Sequence, residues 1–298
     1  MDYGLILKNA YTLWLKDKKS LFYTLIYFLA GLFFVAISFG IVWLFFQDAW
    51  IQMMAASTYS TTVTPDPSML TSLLTSMLVL IPVSLLQILV LYFIGILMRL
   101  RALEVLGFKT VPITLSKFFK LILLWVWTTI AAVISWHKKT FLYLFIGLMV
   151  LAIITLALFV LGQWLPGIIL TVILLPLTII YSVIIIYNSM RLSLSSAIIL
   201  QKDQGVFDTA KEAWDLAEGK VLEILIAVMV ILIPILIVGM IVGLIAGVLS
   251  ALMNTAFLST AIQQIVQIII SPLTAIIFAF GFITVYSEVL KSKALKPV

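Results

Sequence analysis

The chain has 298 residues, 64% hydrophobic and 10% charged, with a net charge of +6 and a mean hydropathy of +1.28. A soluble chain carries about 25% charged residues, so too few charges remain here to cover a water-facing surface, and the surface must largely face lipid. Long unbroken apolar runs exclude a β-barrel, whose segments are short and alternating.

The absence of cysteine excludes disulfides and thiolate chemistry, and His137 is the only histidine, so one chain builds no multi-histidine metal site. No cofactor is expected, and no cleaved signal peptide precedes the first apolar run. The positive excess is a topology signal directed at anionic headgroups rather than at nucleic acid.

Residues 3–19 place Leu7, Ala10, Tyr11 and Trp14 at helical spacing, with Lys8, Lys16 and Lys19 elsewhere; this predicts an interfacial amphipathic helix. Ser20 is a candidate cap for the first span, 21–46. Residues 47–68, rich in Ser and Thr with a Pro65-Asp66-Pro67 turn element, are expected as a polar connection. The second span is 69–98, ending at Arg99 and Arg101.

Residues 115–136 decide the topology. If they lie in the interface, all 18 Lys and Arg fall on one side, in segments 8–19, 99–139, 191–220 and 291–296. Orientation follows such residues near span ends, so an interfacial helix is preferred, with a re-entrant segment and a seventh span as the alternatives. The remaining spans are 141–161, 167–187, 221–252 and 256–290, with a third interfacial helix at 204–219 ended by Gly219. The expected fold is an all-α integral membrane protein. It is one transmembrane domain of six spans in three hairpins, each preceded by a cytoplasmic-side interfacial helix. Both termini are expected in the cytoplasm and the chain in the cell membrane. The first and third interfacial segments share a pattern: Lys8-Asn-Ala10-Tyr11-Thr-Leu13 aligns with Lys211-Glu-Ala213-Trp214-Asp-Leu216.

The block from Ser193 to Leu225, with Gly205-Val-Phe-Asp-Thr-Ala210-Lys-Glu-Ala213-Trp214-Asp-Leu216 at its centre, is similar to the membrane domain associated with glycerophosphoryl diester phosphodiesterases and to its stand-alone archaeal and bacterial relatives. The resemblance implies a polytopic membrane domain without established biochemical activity. This chain carries no hydrolase domain, so phosphodiesterase activity is not implied.

Gly239, Gly243 and Gly247 line one face of the fifth span and are candidates for helix packing, within the chain or in a homo-oligomer. Gln263, Gln267, Ser271 and Thr274 share one side of the sixth span, as an interhelical seam or a cavity wall. Pro82, Pro176, Pro234 and Pro272 are candidate helix breaks of the kind transporters use. Lys211, Trp214, Lys220 and Trp14 are the candidate partner or lipid surface. Asp208, Glu212 and Asp215 share a helical side that reads as a solvated face. A membrane-embedded lipid enzyme would need acidic residues gathered near Glu104, Glu223 and Glu288, and no catalytic motif is present. The expected function is therefore a non-enzymatic scaffold, assembly or lipid-interacting component, alone or as a subunit of a membrane complex. The alternative is a carrier for an apolar or amphipathic, lipid-like molecule through a mid-membrane cavity.

Overall fold

A computed structural model describes residues 1–59, 67–134, 139–253 and 256–294, and all regular structure among them is helical. Among the described residues, seven helices are long and apolar enough to cross a membrane, by length and composition. The chain divides into two compact units, one of residues 1–6, 103–230 and 282–298, the other of residues 7–102 and 231–281.

The N-terminal segment is helical as expected. It runs as α1 (Tyr3–Lys8), a π-helical turn (Asn9–Leu13) and a 3-10 turn (Trp14–Lys16). It stops at Asp17, which is extended, and α2 (Lys18–Tyr59) begins. The cap of α2 is Asp17 rather than Ser20. The Asp17 carboxylate accepts from the Ser20 backbone N–H at 2.9 Å and from the Ser20 hydroxyl at 2.6 Å, satisfying donors that a helix start leaves open. The same carboxylate takes both arms of Arg101, at 2.7 and 2.9 Å, tying the start of α2 to the end of α3 (Pro67–Val105).

The connection expected at 47–68 is a correction. Residues 47–59 continue α2, and α3 starts at Pro67, a first-turn position that needs no N–H. The rest of the Pro65-Asp66-Pro67 element lies outside the described residues. Ser and Thr are weak helix formers, yet Met53, Met54, Ala55 and Ala56 in the same stretch favour helix, so a helix already under way propagates through it.

The hairpin of α5 (Lys139–Val160) and α6 (Trp164–Leu192) turns at Gly162, whose φ of 73° suits glycine. Phe145 meets Tyr181 at 5.9 Å between ring centres, which sets the antiparallel register. Then follow α7 (Ser195–Gln201), α8 (Val206–Leu216), α9 (Val221–Met253) and α10 (Ala256–Ala294). Gly219, at φ 72°, closes α8 as expected. Pro82, Pro176, Pro234 and Pro272 each sit inside a continuous helix, so none of the expected breaks occurs.

Packing is uneven along the spans. In the unit containing α7, residues Ala197, Ile198, Ile199 and Leu200 are all within 2% of full burial. By contrast, Ile153, Leu156, Val172 and Ile179 on the α5–α6 hairpin are exposed, as suits side chains whose solvent is hydrocarbon. In the other unit the tightest approach is at Gly281. A Cβ there would stand 2.6 Å from Ile231 Cδ1 and 3.3 Å from Ala10 Cβ. Beside it the Tyr11 hydroxyl donates to Ile231 O at 2.7 Å, in the turn before Pro234, where the helix lacks one N–H. At Gly239, Gly243 and Gly247 an added Cβ would meet nothing within 4 Å. Among the described residues, the close approach is made at Gly281.

Two predictions follow from these contacts. Gly281→Ala is expected to destabilise by about 1–3 kcal/mol through overpacking, whereas Gly243→Ala is neutral or stabilising by a few tenths; unfolding in detergent micelles reads both. Asp17 is held well below the usual carboxylate range, chiefly by the Arg101 hydrogen bonds, with Ser20 assisting and burial opposing. A depressed folded pKa gives stability that is complete above the unfolded value, about 3.9, and that drains away as pH falls toward the folded one. Asp17→Asn should cost about 2 kcal/mol at pH 7 and flatten the acid limb of the stability–pH curve below pH ~4.

Candidate functional site

The candidate site is built in one unit, where α4 (Leu115–Ile134), α7 and α8 meet the last turn of α6. α8 presents Thr209, Ala210, Ala213 and Ala217 inward, all fully buried. Small side chains at this spacing let it lie close against its neighbours. At its start Asp208 turns back toward Gly205, and its Oδ2 would stand 3.0 Å from a Cβ there, so glycine makes room for that carboxylate.

Arg191 anchors the other end of α8. It is only 8% exposed. Its Nη2 and Nε donate to Trp214 O at 3.0 and 3.2 Å, and its guanidinium carbon lies 4.1 Å from the Trp214 ring centre. One cation thus satisfies an orphan carbonyl near the helix C-terminus and stacks on the indole face. A buried guanidinium without such partners would be costly.

α4 is fastened along its whole length to these elements. Thr114 Oγ1 accepts from the Lys117 N–H at 3.2 Å and caps its start. Lys120 Nζ donates to Asp203 at 2.8 Å, and Trp127 meets Phe207 edge-on at 4.8 Å. At the far end, Asn188 Nδ2 donates to Ala132 O at 3.1 Å and the Tyr181 hydroxyl to Val133 O. These are two of the carbonyls that a helix end leaves open. Lys117, Leu121, Leu124 and Ala131 face inward, while Leu115, Phe119, Leu123, Val126 and Ile130 form an exposed apolar face.

A shallow groove of about 410 Å³ runs beside α8, lined by Gln204, Asp208, Lys211, Glu212, Asp215, Leu216 and Lys293. The three acidic residues line it together; Lys202 pairs with Glu212 at 2.5 Å, and Lys293 donates to the Asp215 backbone carbonyl. Asp203 is held below the ordinary carboxylate range, first by its hydrogen bond from Lys120.

Of the four surface candidates, Lys211 is exposed and Trp214 is half-buried under Arg191. Lys220 is paired with Glu223 at 2.7 Å. Trp14 is a correction: at 7% exposure it is core, and the exposed residues of its segment include Leu7, Lys8, Thr12, Leu15 and Lys16. On the sixth span, Gln267 is exposed while Ile268 is buried. Ser271 and Thr274 are partly buried, and the Thr274 hydroxyl donates to Ile270 O at 2.9 Å; the Gln263 side chain lies outside the described residues. Glu223 also accepts from the Met1 amino group at 3.2 Å, and Glu288 from the Asp2 N–H and Lys291 at 3.3 and 2.9 Å. Both are engaged in pairs, and Glu104 is exposed. Among the described residues, no group of three or more His, Cys, Asp or Glu is placed to hold a metal ion.

Sequence reasoning passed over Arg191 as a mere span-end marker and missed Asn188, Tyr181 and Lys117. For Tyr181 and Asn188 the available signal was weak: polar or aromatic residues near the end of an apolar run, where a carbonyl-capping role is common; Lys117, in the first turn of α4, carried none.

No protein-family model, no curated protein and no solved structure matches this chain.

Arg191→Lys keeps the charge but loses the forked donation and the flat stacking face. It is expected to lower stability by about 1–3 kcal/mol and to raise protease cleavage between α7 and α9, while Lys211→Gln leaves both unchanged.

Proposed function

We propose that the chain is a six-span membrane protein whose α4, α7 and α8 form a cytoplasmic-side layer in the membrane interface, serving as a scaffold or lipid-binding surface. The observation that carries this is the fastening of α4. Its N-terminal end is joined to Asp203 by Lys120, and its C-terminal end is capped by Asn188 and Tyr181 in the last four turns of α6. Asp203 follows Arg191 by one short helix. A helix of 20 residues is about 30 Å long, the thickness of the hydrocarbon core. A crossing α4 would carry one end away from the layer to which both ends are tied.

An in-plane α4 also has a use for each face. Its buried face meets α6–α8, and its exposed apolar face enters the acyl boundary, as in interfacial helices. With α4 in the plane, every Lys and Arg of the chain returns to the cytoplasmic side, in keeping with the charge rule. The resemblance of 193–225 to the phosphodiesterase-associated membrane domain accords with this reading, which assigns no hydrolase activity. The groove beside α8, with Lys211, Asp208 and Asp215 at its rim, is the surface offered to a cytoplasmic partner.

The test uses the lack of native cysteine. A His137→Cys protein in inverted and right-side-out vesicles is expected to react with an impermeant maleimide from the cytoplasmic face alone; labelling from the opposite face makes α4 a seventh span and ends this reading. In parallel, crosslinking pull-down with Trp214→Ala/Lys211→Glu is expected to lose partners that the wild type retains. An unchanged set of partners rejects the α8 surface.

A further inference from the structure

Two arginines stand two positions apart near the end of α3, and they are treated differently. Arg101 gives both arms to Asp17. Arg99 is half-buried, and among the described residues it makes no ion pair or hydrogen bond. No carboxylate acts on it. The one titratable group its charge bears on is the Tyr92 phenol, two turns earlier in α3. A lysine in such a place can give up its proton, but a guanidinium cannot. The charge therefore stays, and none of its nitrogens is sealed from an approaching group.

The level of Arg99 follows from its neighbour. The apolar stretch of α2 starts at Lys18, directly after the Asp17 that holds Arg101. Arg99 stands two residues, about 3 Å, further toward the middle of α3, at the edge of the hydrocarbon. Side chains on a helix lean toward its start, so this guanidinium is directed along α3 toward Tyr92 rather than out to water.

The same face of α3 leads from Arg99 to an apolar groove. Ile81, Ile88, Tyr92 and Arg99 follow one another by 7, 4 and 7 positions, steps that return to one side of an α-helix. Gly95 lies on that side too, and a Cβ there would meet nothing within 4 Å, so the track is open. At its far end Leu80, Ile81, Ser84, Leu85 and Ile88 line a groove of about 410 Å³. Ile88 and Leu85 are about 16 and 21 Å along the helix from Arg99. Half the hydrocarbon core is about 15 Å, and an apolar stretch of 28 residues must tilt, which lengthens the path along it. A cation at the edge and an apolar groove one leaflet deeper match a headgroup and its chain.

We propose that this face of α3 binds one anionic phospholipid, with its phosphodiester at Arg99 and an acyl chain running past Gly95 into the groove at Ile88 and Leu85. The forked guanidinium suits two phosphate oxygens. Lys16, Lys18 and Lys19 are exposed beside Asp17 and set further cations at headgroup level, which disfavours a lipid that carries its own ammonium group. α3 is long enough to cross whether α4 lies in the plane or spans, so the site is independent of that placement.

The experiment is native mass spectrometry of the full chain in detergent, titrated with phosphatidylglycerol, phosphatidylcholine or palmitate. Wild type is expected to bind one phosphatidylglycerol about tenfold more tightly than phosphatidylcholine, a difference of about 1.4 kcal/mol. Arg99→Gln is expected to lose that preference and Arg99→Lys to keep part of it. Arg99→Gln removes an unpaired charge, so it is expected to fold, and unfolding in the same detergent checks this. Gly95→Leu is expected to weaken both phospholipids by closing the track, and it favours the helix. A wild type without the preference, or a preference that survives in Arg99→Gln, overturns the site. So does a preference lost in Lys18→Gln/Lys19→Gln but kept in Arg99→Gln. Gly95→Leu binding like wild type overturns the path of the chain, and palmitate bound through Arg99 in place of phosphatidylglycerol overturns the phospholipid as occupant.

Discussion

A buried guanidinium must be paired on every side or the helix that carries it will not stay where it is. Arg191 meets that condition by closing on the Trp214 carbonyl and ring. The last turn of a spanning helix and the last turn of a short polar helix are thereby made one joint. α7 lies between them in sequence and is almost wholly buried, so the loop after it has little freedom. α4 is then laid against a preformed shelf, held by one salt bridge, one ring contact and two capped carbonyls.

The uneven packing follows from a change of solvent. Within hydrocarbon, an exposed Ile or Leu costs nothing, and helices need only van der Waals fit and satisfied backbones. The α5–α6 hairpin can therefore leave most of its side chains outward. The most completely buried side chains of the α7 unit lie instead on α7 and toward the start of α9 and the end of α10, among them Leu200, Ile224 and Tyr286. The same logic separates the glycines. Gly239, Gly243 and Gly247 have the spacing of a packing motif, yet among the described residues an added Cβ there meets nothing within 4 Å, while at the isolated Gly281 it would crowd Ile231 and Ala10.

The two copies of the Lys-x-Ala-aromatic-x-Leu pattern share a physical role within their own units. Ala10 and Ala213 are both fully buried, since a larger residue would hold the helix off its seat. The aromatic that follows then reaches a spanning helix in two different ways. Tyr11 donates its hydroxyl to Ile231 O, whereas Trp214 accepts through its own carbonyl and offers its ring to Arg191. The pattern conserves the seat and varies the latch.

The helical membrane class was legible in the sequence alone because composition decides it: apolar runs of this length have no other stable home. The positions of α5, α6, α8, α9 and α10, and the stop at Gly219, were also legible, since hydrophobic length and a positive-φ glycine are local properties. Tertiary structure alone decided the rest, for reasons that periodicity does not carry. The cap of α2 went to Asp17 because Arg101, 84 positions away, holds that carboxylate in place. Trp14 went inward because its helix packs on the face that carries Ala10. Lys117 went inward because the face of α4 that carries Leu121 and Leu124 must be buried, and a charge on that face goes with it. Contacts between residues far apart in the chain fix these three, and no window of neighbouring residues records them.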